Sequence, residues 1–210
     1  MAARPPAGRP SRPFGTRALE SVRRIAPDRD QLLAIVAEVF REHGYEGASL
    51  SLIGEATGLG KGSLYHFFPG GKEEMARAVI AHIDGWFEDN VFGPLRDSTD
   101  PLAGVERMIE ATDSYFRSGR RVCLIGAFAL DESRDLFAGQ IRSYFGRWVT
   151  HLADALARSG HRPGEASELA EEAVAAIQGT LTLARAANDL DVFSRALRRL
   201  RMRLGVPAKT

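Results

Sequence analysis

Apolar residues recur every three or four positions along most of this chain, which is the pattern of amphipathic helices. The first stretch predicts a helix over residues 28–43 that ends at Gly44, because glycine commonly ends helices. The same spacing predicts further helices over residues 50–57, 61–67, 72–93, 101–119, 124–130, 134–159, 163–189 and 190–204. No segment alternates apolar and polar residues as a strand would. The pattern therefore predicts an all-α fold.

Breaks in this pattern divide the chain into four parts. Residues 1–27 are rich in proline and arginine and predict a flexible basic arm. Residues 28–73 predict a three-helix DNA-binding domain built around a helix-turn-helix. Residues 74–205 predict a helical effector-binding and dimerisation domain, and residues 206–210 a tail.

The helix-turn-helix prediction comes from the window between residues 49 and 68. Ser49 is placed to cap the first helix of the pair, and Gly58 suits the left-handed position that ends it. A second helix opens at about Gly60, and helical geometry puts Leu64 on its buried face. Its exposed face then carries cationic, small and hydroxylic side chains, namely Lys61, Gly62, Ser63, Tyr65 and His66. Such a face can approach DNA phosphates and base edges closely.

A family resemblance follows from this window. Residues 53–68 read IGEATGLGKGSLYHFF and are followed by Lys72-Glu73-Glu74, and this sequence resembles the TetR family of transcriptional regulators. Two further segments, Phe68-Pro69-Gly70-Gly71-Lys72 and the CLIGAFA run at residues 123–129, are similar to the LmrA/YxaF-like branch. Gly54 departs from the alanine usual in the family, and Gly60 from its serine or threonine. We expect the first departure to weaken its helix by up to about 1 kcal/mol.

The resemblance implies a homodimeric DNA-binding transcriptional regulator, a repressor, with double-stranded DNA, a second copy of itself and a small-molecule effector as partners. It would bind a palindromic operator, be released by a small, largely apolar effector, and perform no catalysis. Carried over to matching positions, the family's DNA contacts fall on Ser49, Ser51, Lys61, Gly62, Ser63, Tyr65, His66 and Lys72. A helical enzyme or small-molecule-binding protein with an incidental helix-turn-helix is the alternative.

Two groups of apolar residues in the second domain leave alternatives open. Aromatic side chains at helical spacing either line an effector cavity or form ordinary core; they are Phe87, Phe116, Phe128, Phe137, Phe145 and Trp148. Small and apolar residues of the last two helices predict either a dimer interface or a crossing of helices within one chain; they are Gly179, Leu183, Phe193, Leu197 and Leu200.

Composition and charge narrow the function further. Net charge is only +1, but residues 1–27 carry six arginines and one glutamate, and residues 195–210 carry six cations and no acid. The acidic body between these ends suits a DNA binder that avoids non-specific contact, although either basic end could be an inert tail. The single cysteine, Cys123, excludes an internal disulfide and has no basic histidine or second cysteine nearby to support a redox role.

Several other classes of site lack their sequence signature. The five histidines show no metal-ligand spacing, so we expect no metal and no cofactor. The glycines around Lys61 lack the nucleotide-binding spacing. With no secretory signal and no apolar run of about 18 residues, the sequence predicts a cytoplasmic protein without a membrane contact.

Overall fold

The structure, a computed structural model, describes residues 28–207. The predicted basic arm at residues 1–27 and most of the predicted tail at residues 206–210 lie outside the described residues. Within residues 28–207 the regular secondary structure is helical throughout, which confirms the all-α prediction. In chain order the helices are α1 (Arg29–Gly47), α2 (Leu50–Thr57), α3 (Lys61–Phe67), α4 (Gly71–Phe87), α5 (Gly93–Asp97), α6 (Pro101–Tyr115), α7 (Leu124–Leu130), α8 (Arg134–Arg158), α9 (Pro163–Ala187) and α10 (Asp191–Arg203).

Helix α1 is interrupted at Gly44, its predicted end. Gly44 adopts φ 67° and ψ 177° and kinks the helix, which then resumes for one short turn to Gly47. The regular helix therefore ends at Gly44 as the sequence predicts, and the residues after the kink form a separate short turn. The kink brings the Tyr45 side chain into an aromatic cluster with Phe40 and Phe128, and this packing stabilises the turn beyond it.

The helical path that begins with α4 continues beyond residue 93, the predicted end of that helix. A π-helical segment, Glu88–Phe92, joins α4 directly to α5, so the helical path passes through Gly93 and Pro94. Pro94 is tolerated because it lies in the first turn of α5, where a backbone N–H would have no acceptor within that helix. The predicted domain boundary between residues 73 and 74 falls inside α4, so the two units share this helix, and the boundary itself stays a prediction.

The main core of the second unit lies between α4, α6, α8, α9 and α10. Phe87 at the end of α4 packs against Tyr144 and Trp148 of α8, with ring centroids 5.0 and 5.2 Å away. Phe193 of α10 closes the other side against Phe116, at 6.2 Å. Over the described part of the chain, no helix combines the length and apolar character needed to cross a membrane.

The turn between α2 and α3 depends on a close backbone approach at Gly54. The Leu59 N–H donates to the Gly54 carbonyl at 3.1 Å, which draws the chain after α2 back onto that helix. A Cβ atom at residue 54 would lie 2.9 Å from the Leu59 carbonyl oxygen, closer than real Cβ contacts allow. This turn therefore requires Gly54, which departs from the alanine usual in the family. The close approach of the Leu59 backbone offsets the lower helix propensity of glycine.

We expect Gly54→Ala to lower the free energy of unfolding measured in urea, because relief of the clash must move backbone. Helix propensity alone acts in the other direction, by up to about 1 kcal/mol in favour of alanine. Gly139→Ala in α8 is the matched control, since Gly139 is exposed and a Cβ atom there would have no neighbour within 4 Å. The control should gain stability, and an equal gain for Gly54→Ala would contradict the steric explanation.

Candidate nucleic-acid interface

Helices α2 and α3 form a helix-turn-helix whose ends are fixed by local hydrogen bonds. Ser49 caps α2 by accepting the Leu52 N–H on its Oγ at 3.2 Å, as the sequence predicts. Gly58 takes the left-handed conformation with φ 69° and ends the helix, also as predicted. Gly60 precedes α3 without a side-chain cap. These constraints set the direction in which α3 leaves the turn.

Helix α3 presents a continuous polar face to solvent. Leu64 and Phe68 are buried beneath it and hold it on the rest of the three-helix unit. Tyr65 is 40% exposed, although it is aromatic. The remaining exposed residues of the face are Lys61, Gly62, Ser63 and His66, as the sequence predicts. Because nothing lies within 4 Å of a Cβ built on Gly60 or Gly62, a DNA backbone could approach the first turn of α3 closely.

On this face the Lys61 ammonium contacts the Tyr65 ring. Lys61 Nζ lies 6.0 Å from the centre of the Tyr65 ring, within the range of a cation–π contact. The Tyr65 ring also borders Gly71, whose left-handed φ of 67° begins α4. Tyr65 is thus held at the junction of α3 and α4 with its edge in solvent. A phenol and an ammonium so placed can contact neighbouring phosphates of one DNA strand.

Lys72 occupies a different environment from the other predicted DNA contacts. Its Nζ donates to the Tyr45 carbonyl at 2.9 Å and lies 4.4 Å from the centre of the Tyr45 ring. The Glu46 carboxylate lies 3.8 Å from Lys72 Nζ and forms an ion pair with it. These contacts tie α4 to the end of α1, a role that no sequence motif indicates. A phosphate contact by Lys72 stays a prediction, as do those of the exposed Ser49 and Ser51.

Anchoring of α3 involves a residue that sequence reasoning missed. The Arg29 guanidinium, at the start of α1, lies 5.4 Å from the centre of the Phe68 ring. It covers an aromatic side chain that is itself buried beneath the end of α3. No motif marks an arginine at a helix start for this purpose, so the contact became visible only in the structure.

The second unit contains an open cavity between α7, α8 and α9, with a volume of about 790 Å³. Of the six aromatic residues predicted to bind an effector, only Phe145 lines it. The other five are almost fully buried in the core, in ring contact with their neighbours: Phe87, Phe116, Phe128, Phe137 and Trp148. The cavity wall instead includes small or polar residues that sequence reasoning did not connect, namely Cys123, Gly126, Gln178, Thr182 and Arg185.

The residues predicted for a dimer interface fall into two groups. Gly179 is exposed, and Leu183 is 57% exposed despite its apolar side chain. The three residues of α10 face inward against the rest of the chain, as in the alternative of an internal helix crossing: Phe193, Leu197 and Leu200. An interface on this side would therefore be formed by the outer faces of α9 and α10.

A three-helix unit that presents a polar, cationic α3 beyond a tight turn defines a DNA-binding regulator of the helix-turn-helix class. The sequence profile described as "Bacterial regulatory proteins, tetR family" matches residues 32–79. The profile "Transcriptional regulator LmrA/YxaF-like, C-terminal domain" matches residues 101–199. The chain belongs to the TetR family of transcriptional regulators, and its second domain is of the LmrA/YxaF-like type.

Individual relatives agree with this assignment. The HTH-type transcriptional regulator YxaF of Bacillus subtilis is 28% identical over 159 residues, which cover 74% of this chain and 83% of YxaF. The HTH-type transcriptional repressor KstR2 of Mycolicibacterium smegmatis is 32% identical over 149 residues, 66% of this chain and 69% of KstR2. A solved structure of the TetR family regulator CifR, a cysteine mutant complexed with a 26-bp double-strand operator DNA, has a TM-score of 0.64 at 28% identity and covers 82% of this chain and 97% of that one.

We expect Lys61→Ala and Tyr65→Ala each to weaken binding to the DNA upstream of the protein's own gene, without loss of helicity. Removal of one phosphate contact should also flatten the dependence of log affinity on log salt by about one unit. Fluorescence anisotropy over a salt series measures both quantities. Arg162→Ala is the control, because it removes one exposed cation at the start of α9. Affinity and slope unchanged in both α3 variants would exclude α3 from the DNA interface.

Proposed function

We propose that the protein is a homodimeric cytoplasmic repressor that binds a palindromic operator and is released by a small, largely apolar effector. It needs no catalytic step. The exposed face of α3 is the observation that carries this proposal, because its polar and cationic side chains are left in solvent beyond a tight turn. Its proposed DNA contacts are Ser49, Ser51, Lys61, Gly62, Ser63, Tyr65, His66 and Lys72. The operator complex of CifR supports the same use of the fold.

Surface chemistry on α9 and α10 supports a homodimer. The outer face of α9 is lined by small or apolar exposed residues over three turns: Ala175, Gly179, Leu183 and Ala186. Small residues allow a second helix to approach closely, and an exposed leucine gains from burial. The two helices also differ in charge, since α9 exposes Glu168, Glu171 and Glu172 whereas α10 exposes Arg195, Arg198 and Arg199. A two-fold arrangement can set the α9 of one protomer against the α10 of its partner.

Helix α7 provides a physical connection between the cavity and the DNA-binding unit. One side of this seven-residue helix, at Gly126, Ala127 and Leu130, lines the cavity. On its other side Phe128 packs against Phe40 of α1 at 5.8 Å. A molecule that displaces α7 would therefore change the surface on which α1 rests.

Hydrogen bonds at the start of α7 add to this connection. Arg41 of α1 donates from Nε to the Val122 carbonyl at 3.2 Å and from Nη2 to the Tyr115 hydroxyl at 3.0 Å. Val122 lines the cavity. Burial raises the pKa of Tyr115, against the effect of the Arg41 guanidinium, so the phenol stays protonated at neutral pH. Effector binding would act on operator affinity through these contacts, with a coupling of about 1–3 kcal/mol typical of such proteins.

Cys123 caps α7 rather than showing the features of a redox sensor. Its Sγ accepts the Gly126 N–H at 3.3 Å, and the side chain is buried. Burial raises the pKa of the thiol, so little thiolate forms at neutral pH. We therefore assign Cys123 a structural role at the cavity wall.

Repression is tested with a reporter gene placed behind the region upstream of the protein's own gene. We expect wild-type protein to lower reporter expression, and Tyr65→Ala to restore it at equal protein abundance because the DNA contact is lost. Arg162→Ala should repress like wild type. Higher reporter expression with wild-type protein would contradict repression and indicate an activator.

We expect Gly179→Leu to convert a dimer into monomers or aggregates in analytical ultracentrifugation at micromolar concentration. Nothing lies within 4 Å of a Cβ at residue 179 in the protomer, so a leucine there should leave the protomer folded. Gly179 also borders the cavity, so the readout is the oligomeric state and not effector binding. Gly85→Leu is the matched control, since Gly85 lies on an exposed and equally open position of α4. A monomeric wild-type protein, or a dimeric Gly179→Leu variant, would contradict the proposed interface.

A further inference from the structure

A smaller cavity lies where the DNA-binding unit meets the second unit. Its volume of about 340 Å³ is within the range of about 300–1,000 Å³ that is usual for small-molecule sites. Helices α1 and α4 form one side of it, and the end of α6 with the loop that follows forms the other. Among the described residues it shares no lining residue with the cavity between α7, α8 and α9 or with the proposed dimer faces. We call it the junction cavity.

The polar part of the junction cavity carries an excess of positive charge. Arg41, Arg117 and Arg121 line it, and among the described lining residues Glu38 is the one acid. The Oε1 atom of Glu38 lies 2.9 Å from Arg41 Nη1 and 3.1 Å from Arg121 Nη2. One carboxylate therefore serves two guanidinium groups, and Arg117 has no ion pair with a described residue. Burial and the nearby Arg41 lower the pKa of Arg121, as expected where positive charge is incompletely compensated.

These charged groups are within reach of a ligand from solvent. The Arg117 side chain is exposed, and the side chains of Arg121 and Glu38 are 19% and 51% exposed. Arg117 and Ser118 both adopt left-handed backbone conformations, with φ 49° and 52°, which are uncommon for residues other than glycine. They turn the chain after α6 so that Arg117 and Arg121 both border the cavity. Backbone strain of this kind is concentrated at binding and switch sites.

The rest of the wall suits a flat apolar group. Trp86 and Tyr115 lie with ring centroids 4.7 Å apart, and Ala34 and Ile83 extend the apolar surface. The Tyr115 hydroxyl accepts a hydrogen bond from Arg41, but no described residue accepts its own proton. Because burial raises the pKa of Tyr115, this O–H group remains a donor at neutral pH. The cavity therefore combines cations, a phenol donor and an apolar wall.

We propose that the junction cavity binds a small organic acid with one aromatic ring, and that its occupancy regulates operator binding. The carboxylate would lie beside Arg117 and Arg121, and the ring against Trp86. A bound carboxylate compensates the charge that Glu38 leaves uncompensated, so an acid is favoured over its neutral or cationic analogues. Because the walls come from α1, α4 and the loop before α7, a bound acid fixes the DNA-binding unit relative to the second unit. This site is separate from the effector cavity of the proposed function.

Isothermal titration calorimetry on the full-length protein, free of DNA, tests the chemical class. Benzoate is the probe, and benzamide is its neutral counterpart. Acetate supplies the charge without the ring, and phosphate supplies an inorganic anion. We expect benzoate to bind about tenfold or more tightly than each of the other three compounds. The amide loses the ion pair with arginine, whereas acetate and phosphate lose the burial of the ring.

Substitutions around the cavity locate the bound acid. Arg117→Gln should weaken benzoate binding several-fold, whereas Arg120→Gln should leave it unchanged, since Arg120 is an exposed arginine of the same loop that does not line the cavity. Ala34→Phe should weaken binding without a change of charge, because the larger side chain narrows the cavity. Glu38→Gln should strengthen binding several-fold, because it removes the competing carboxylate. Circular dichroism and melting temperature establish that each variant is folded.

Regulation is measured in the anisotropy assay at saturating benzoate. We expect operator affinity to change by about fivefold or more in the wild type and in Arg120→Gln, and not in Arg117→Gln. By linkage, operator-bound protein should bind benzoate with an affinity changed by the same factor. This regulatory part rests on the proposed function. If benzoate binds as expected but the operator does not bind, the proposed function fails and the site assignment stands.

Several results would overturn the proposal. Benzoate that binds no more tightly than benzamide, acetate or phosphate contradicts the assigned chemical class. Equal benzoate affinities of the wild type and Arg117→Gln contradict the assigned position. Loss of binding in Arg185→Gln, with Arg117→Gln unaffected, would place the acid in the cavity between α7, α8 and α9, which Arg185 lines. Operator affinity that stays unchanged at saturating benzoate would exclude the regulatory role.

Discussion

The packing of Tyr45 is the contact on which the arrangement of the two units depends. The Gly44 kink directs this side chain against Phe137 of α8, with ring centroids 5.3 Å apart, and against Phe128 of α7. Lys72, at the start of α4, covers the same ring and donates to the Tyr45 carbonyl. One aromatic side chain thus joins the helix before the helix-turn-helix, the helix after it, and two helices of the second unit. Burial and the nearby Glu73 raise the pKa of Tyr45, which keeps the phenol neutral in this position.

We propose that this contact connects the cavity in one unit to the DNA-binding surface in the other. Helix α7 lies between the cavity and α1, and opposite sides of it contact each of them. Because packed interiors resist gradual deformation, a displacement of α7 must be taken up by its neighbours. Those neighbours are Phe40 and Tyr45 of α1, and Tyr45 in turn contacts the first turn of α4. The α2–α3 turn and the junction with α4 together fix α3, so we propose that the DNA-binding surface shifts when α4 shifts.

Much of the fold was predictable because its signals are local. Ser49 and Gly58 have roles that depend on two or three neighbouring residues, and the exposed face of α3 follows from helical geometry. The cavity could not be predicted in the same way. Helical spacing identifies a buried face, but core and cavity wall have the same spacing, so Phe116 and Phe145 looked equivalent in the sequence. Only the arrangement of α7, α8 and α9 around the cavity shows which of them borders open space.

The partners of some individual residues were equally invisible in the sequence. Gly54 looked like a weak point of its helix, yet it permits the approach of the Leu59 carbonyl. Lys72 looked like a phosphate contact, and its bond to Tyr45 depends on the kink at Gly44, far earlier in the chain. In both cases the local sequence carries the residue type but not the partner. Tertiary contacts therefore decide which role a side chain takes.

We propose that a symmetric dimer binds DNA through two copies of α3. Selection of bound sequences from a random double-stranded DNA library tests it most directly, with the full-length protein at fixed salt concentration. We expect enrichment of an inverted repeat, because half-site symmetry in the DNA mirrors the two-fold symmetry of the protein. The repeat should disappear from the selected pool when Tyr65→Ala replaces wild type. Absence of any enriched sequence, or enrichment of a single unrepeated site bound by one protomer, would contradict this claim.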